Sequence, residues 1–79
     1  MSSMASTTQL RQIRESLGAT QEAVTRRTRG ISLRTYIRAE NGDRVTFDTA
    51  SQILEAINNL LMEVNRQPVA LEDLGLNLY

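Results

Sequence analysis

Arg34 and Arg38 stand four residues apart, as do Leu33 and Ile37, within the stretch Ser32–Asn41. If that stretch is helical, a turn of about 100° per residue puts Leu33, Arg34, Ile37, Arg38 and Asn41 on one arc. Ser32, Thr35, Tyr36 and Ala39 fall on the other, with Glu40 at its edge. The second arc is small or amphipathic and suits packing. The first could do chemistry on a nucleic acid: arginine bonds guanine O6 and N7 through two N–H groups, and leucine or isoleucine touches a thymine methyl. The same arc also suits a solvated surface helix, or one whose aliphatics meet a partner protein. The wheel alone does not separate these.

Other chemistries lack their residues. Cysteine and histidine are absent, which removes disulfides, thiolate metal sites, a cysteine nucleophile and the commonest general base. The carboxylates are scattered. The expectation is a binding module with no enzymatic activity, no metal, no cofactor and no small-molecule ligand. Every basic residue is an arginine. The N-terminal part to Arg44 carries eight arginines against Glu15, Glu22, Glu40 and Asp43, a surplus of +4. From Val45 onward Arg66 alone opposes five acids, a deficit of −4. A basic half beside an acidic half hints at a polyanion-binding face, and equally fits a surface of paired charges.

A chain of 79 residues allows one domain, and 41% apolar residues make it too apolar for a disordered one. No run is long enough for a membrane span, and MSSMASTT lacks a signal-peptide core, so a cytoplasmic location is expected.

Gly18, Gly30, Gly42 and Gly75 separate apolar-periodic stretches, and Thr20, Ser32 and Thr46 sit where N-caps belong. The pattern predicts a first helix over Thr8–Leu17 with Leu10, Ile13, Arg14 and Leu17 inward. A second follows from Gln21 to about Thr28 with Val24 and Thr25 inward, and a third runs from the Ser32 cap to Asn41. A long fourth helix, Phe47 to about Asn65, places Ala50, Leu54, Ile57, Leu61 and Val64 on its inner face, with Ile53 and Leu60 to one side. After Pro68 a short fifth helix is expected around Leu71–Leu74. β-signals are weak. The fold class is all-α with five helices in a single domain, residues 1–7 being flexible and 66–79 a C-terminal tail.

The segments L-R-Q-I-R-E-S-L-G-A-T-Q-E-A-V at Leu10–Val24 and G-I-S-L-R-T-Y-I-R-A-E-N-G-D-R at Gly30–Arg44 resemble the phage repressor and Cro family of helix-turn-helix DNA-binding domains. The resemblance covers about Leu10 to Leu61 and implies a lambda-repressor-like domain bound to double-stranded DNA. It implies phosphate contacts at Thr20, Gln21, Ser32, Asn41 and Arg44, and base contacts at Leu33, Arg34 and Arg38. It also implies a partly buried salt bridge between Arg14 and Glu40. Helix N-termini favour anions on physical grounds, which suits Thr20 and Gln21.

The chain departs from the family pattern in four places. The helix–turn–helix linker is one residue longer, with Arg29 as the extra residue. Thr25 replaces the usual alanine and needs a partner for its hydroxyl near the turn. Asp43–Val45 is one residue short and lacks the frequent proline. Tyr36 and Ala39 replace a pair of aliphatics, which a volume-conserving exchange would explain. These changes bear on the docking angle of the third helix.

Two functions follow as expectations. One is a sequence-specific transcriptional regulator, a small repressor or controller acting as a homodimer on an inverted repeat. The other is a protein-interaction module such as an antitoxin. The apolar tail Val69–Tyr79 and the end of the fourth helix motivate both the dimer and a partner protein, because so much apolar surface is too much for a free tail. The alternative for the tail is docking on its own domain.

Overall fold

The computed structural model describes residues 8–79; the expected flexibility of residues 1–7 lies outside the described residues. Four α-helices form: α1 (Gln9–Ser16), α2 (Gln21–Arg26), α3 (Leu33–Glu40) and α4 (Phe47–Glu63). Each starts where a hydroxyl replaces a missing backbone acceptor. Thr8, Thr20, Ser32 and Thr46 accept the amide of the residue three ahead, at 3.0–3.3 Å.

The helix ends follow one device. After α1, α3 and α4 a residue at positive φ (Gly18, Gly42 and Asn65) lets its own amide and the next one turn back onto the last turn. Asn65 in this role stops α4 at Glu63, short of the expected Asn65. α2 stops at Arg26 rather than Thr28, where the Arg27 and Thr28 amides donate three residues back, to Val24 at 3.0 Å and Thr25 at 3.1 Å; the hydroxyls also bond backwards. Thr25 Oγ1 donates to the Gln21 carbonyl at 2.8 Å and Thr28 Oγ1 to that of Thr25 at 2.7 Å. The partner of Thr25 is therefore one turn back in its own helix, not at the turn.

The core joins Leu10, Val24, Tyr36, Ala39, Val45, Ala50, Ile53, Ala56, Ile57, Leu61 and Leu74. Tyr36 and Ala39 are both fully buried. The inner face of α4 differs from expectation. It is centred further toward Ile53 and Ala56, Leu54 is only half-buried, and Val64 is 53% exposed. Val64 is the cap residue with φ −108°, off the helical path, so helical spacing no longer predicts its direction.

The expected fifth helix is instead a single 3-10 turn, Leu71–Leu74, held between the extended Ala70 and left-handed Gly75. Its backbone bonds run three residues back, from the Asp73 amide to Ala70 at 3.0 Å and from the Gly75 amide to Glu72 at 3.3 Å. Asp73 Oδ2 accepts the Ala70 amide at 2.9 Å. A second correction concerns β-structure: β1 (Arg44–Val45) and β2 (Asn77–Leu78) pair in parallel, Arg44 opposite Asn77 and Val45 opposite Leu78. Two-residue strands are too short for alternation to register in the sequence.

The tail thus takes the intramolecular course. Asn58 clasps Val69 from both sides, Oδ1 accepting its amide at 2.8 Å and Nδ2 donating to its carbonyl at 3.0 Å. Leu74 is fully buried, Val69, Leu71 and Leu76 pack against the core, and Arg66 Nη1 donates to Ser16 Oγ at 3.0 Å. The apolar surface expected to meet a second chain is largely used at home. Among the described residues no helix is long and apolar enough to cross a membrane.

Candidate nucleic-acid interface

α2, the turn after it and α3 form a helix–turn–helix unit. The outer face of α3 presents Arg34, Arg38 and Asn41 exposed, with Leu33 and Ile37 half-buried between them. Ser32 heads the helix, and its hydroxyl accepts the Thr35 amide and donates to Thr35 Oγ1 at 3.0 Å. Arg44 lies just beyond α3, exposed, its guanidinium 5.9 Å from the Tyr79 ring centre. That is within cation–π range.

Behind this face one carboxylate ties three helices together. Glu40, 1% exposed, accepts from Arg14 Nε at 2.5 Å, Arg14 Nη2 at 3.2 Å, Tyr36 Oη at 2.7 Å and Gln21 Nε2 at 3.0 Å. Arg14 Nη1 also donates to the Ala19 carbonyl at 2.9 Å, so the same guanidinium holds the linker between α1 and α2. The Arg14–Glu40 pair, which resemblance had suggested, is thus a two-bond bridge in the structure, and it is larger than a pair. Gln21 is half-buried and commits one amide hydrogen to Glu40, leaving its other hydrogen and its carbonyl for an outside partner. Thr20, beside it, is exposed.

Burial pushes the Glu40 carboxyl up, but the bonds from Arg14, Tyr36 and Gln21 outweigh it and hold the group below its ordinary value. Burial, and then the bond to Glu40, pushes the Tyr36 phenol up. The bond to Glu40 raises Arg14 further above its already high value. The cluster therefore stays charged and paired at neutral pH.

The surface arginines divide into two groups. Arg27 donates to both oxygens of Glu63 at 2.5 and 3.1 Å, and Arg29 to Glu55 at 2.7 Å. Arg11 pairs with Glu15 and Arg38 with Asp43. Arg26, Arg34, Arg44 and Arg66 have no carboxylate within reach among the described residues. The basic half and the acidic half of the sequence thus partly neutralise each other between the turn after α2 and α4, and the cationic surface left over includes Arg34 on the outer face of α3 and Arg44 just beyond it.

A family model described as helix-turn-helix matches residues 10–61. The chain belongs to the helix-turn-helix family, of the phage repressor and Cro type. It is a DNA-binding transcription regulator of that kind. No curated protein and no solved structure gives a match.

In this helix-turn-helix domain the extra linker residue has a place of its own. The Arg29 amide donates to Gln52 Oε1 at 3.0 Å, and the Ile31 amide to Thr28 Oγ1 at 3.2 Å. The longer turn is pinned to α4 by Gln52 and Glu55, which nothing in the local sequence announces. The matched region ends at Leu61, and the tail beyond it reaches back to the loop after α3. Sequence reasoning also missed the Tyr36 hydroxyl, the Gln21–Glu40 bond and Asp43. An acid four residues after a tyrosine, and an acid after a capping glycine, were the available signals for Tyr36–Glu40 and for Asp43.

Proposed function

We propose that the protein is a sequence-specific regulator that binds double-stranded DNA with α3 in the major groove, a small repressor or controller without enzymatic activity. The observation that carries this reading is the outer face of α3, where exposed Arg34 and Arg38 flank half-buried Leu33 and Ile37. Two hydrogen-bonding forks beside two aliphatics match guanine edges beside thymine methyls. Thr20, Gln21, Ser32, Asn41 and Arg44 then serve the phosphates on either side.

One such helix reads only a few base pairs, so we further propose a homodimer on an inverted repeat with half-sites roughly 34 Å apart. With the tail docked, the large apolar residues left exposed among the described residues are Phe47 at the start of α4, Met62 and Val64 at its end, and Leu78 and Tyr79, and a second copy would use those at the end of α4 and in the tail. The same docking removes the tail as a motive for either partner, so the dimer rests on the short reach of a single recognition helix.

Selection of bound duplexes from a random library tests the reading. An enriched inverted repeat is expected, and affinity for it should fall steeply with salt. Arg38→Ala should cost roughly 1–3 kcal/mol on that site and relax one position per half-site. Equal losses on specific and random DNA would make Arg38 a phosphate contact.

A further inference from the structure

Of the two arginines on the outer face of α3, only Arg38 is held by a carboxylate: its Nε donates to Asp43 Oδ2 at 3.2 Å. The backbone sets this pairing. α3 ends with the Gly42 amide donating to Ala39 at 3.1 Å and the Asp43 amide to Arg38 at 3.0 Å, with Gly42 at φ 92°. Such a cap brings the residue after the glycine alongside the residue five before it. Here that contact, usually apolar, joins an acid to an arginine. The chain beyond Asp43 is fixed as well. Arg44 enters the pairing with Asn77, whose Nδ2 donates to the Gly42 carbonyl at 3.3 Å. Asp43 is therefore anchored on both sides, while the Arg38 side chain it holds is long and has rotamer freedom to lose.

The point of attachment matters. A bond through Nε fixes the guanidinium by its inner edge. Among the described residues Arg38 donates through no other nitrogen, so Nη1 and Nη2 remain for an outside acceptor. That end-on pair is a fork that fits O6 and N7 of guanine. The acid also opposes phosphates at the same surface, which weakens binding wherever no base rewards the arginine.

We propose that Asp43 is a specificity-determining residue that positions Arg38 for end-on reading of a base and discourages its use on phosphate. This rests on the reading of Arg38 as a base contact. The pair is more than half exposed on both sides, so its removal should leave folding intact.

The test compares the full chain with Asp43→Ala, Arg38→Ala and the double variant on the selected operator, its single-base variants and random duplex, at one salt concentration. Asp43→Ala is expected to keep its melting temperature and bind random duplex more tightly. It should lose roughly five- to tenfold in the ratio of operator to random affinity, with the loss concentrated at one position per half-site. In the Arg38→Ala background the same substitution should leave that position unchanged. If Arg38→Ala flattens the preference and Asp43→Ala does not, Asp43 has no such role and the Arg38 reading stands. If Arg38→Ala leaves every preference intact, both fall.

Discussion

Glu40 has to satisfy four donated bonds on one buried carboxylate, and its neighbours can be ranked by what they lose without it. Arg14 loses two bonds and a counter-charge, while Tyr36 and Gln21 each lose one. Breaking a buried pair from one side costs about 3–5 kcal/mol. Glu40→Gln should thus lower the melting temperature by on the order of 10 °C or more in a domain of this size. An unchanged melting temperature would mean that the bridge contributes nothing net. The pH dependence has a definite sign. Glu40 in the folded chain titrates below its ordinary 4.5, so the unfolded chain takes up the proton more readily. Its contribution is complete above that range and is lost as pH falls through the lower folded value. Thermal unfolding between pH 6 and 2 should show this acid limb, and Glu40→Gln should flatten it. Arg14 and Glu40 were legible as a pair through the family pattern, and the helical wheel agreed by placing both at the edges of apolar faces. Tyr36 was legible as volume but not as a donor, because a helical wheel records which way a residue faces and not what its far end can reach.

At the scale of elements, hydroxyls and glycines make the boundaries, and these are short-range signals. Thr20, Ser32 and Thr46 were readable as caps because the oxygen and the amide it satisfies lie three residues apart. The Gln52 and Glu55 contacts to the longer turn were not, since their partner lies on another helix. Gly42 is constrained by its backbone angle and not by space. A Cβ there would meet no atom within 4 Å, yet φ is +92°. Gly42→Ala should therefore cost roughly 1–2 kcal/mol through backbone strain alone, measurable by denaturant titration with an unchanged slope. It should also disturb the Arg38–Asp43 pair and weaken operator binding beyond the stability loss. Full operator affinity in the folded variant would separate the cap from the DNA-reading face.

Over the whole molecule, composition was legible and destination was not. The apolar tail announced that it must be covered, but residue types do not say by which chain. Leu74 answers for this one: it is fully buried among core residues drawn from all four helices. Leu74→Ala should cost about 2–5 kcal/mol, and sedimentation of the wild type and of a chain ending before Val69 should show whether self-association depends on the tail. The parallel pairing of β1 and β2 carries a consequence for local opening. The Val69 amide is held by Asn58 and the Tyr79 amide by the Val45 carbonyl at 3.1 Å. Both amides lie outside any helix, and each bonds to a residue outside its own element. Such contacts open as a cooperative unit at a free energy below that of global unfolding. In native-state hydrogen exchange these two amides should share one opening free energy, lower than that of Ile53 and Ile57 within α4. While the unit is open, β1 would lose its strand partner and Arg44 the ring beneath its guanidinium.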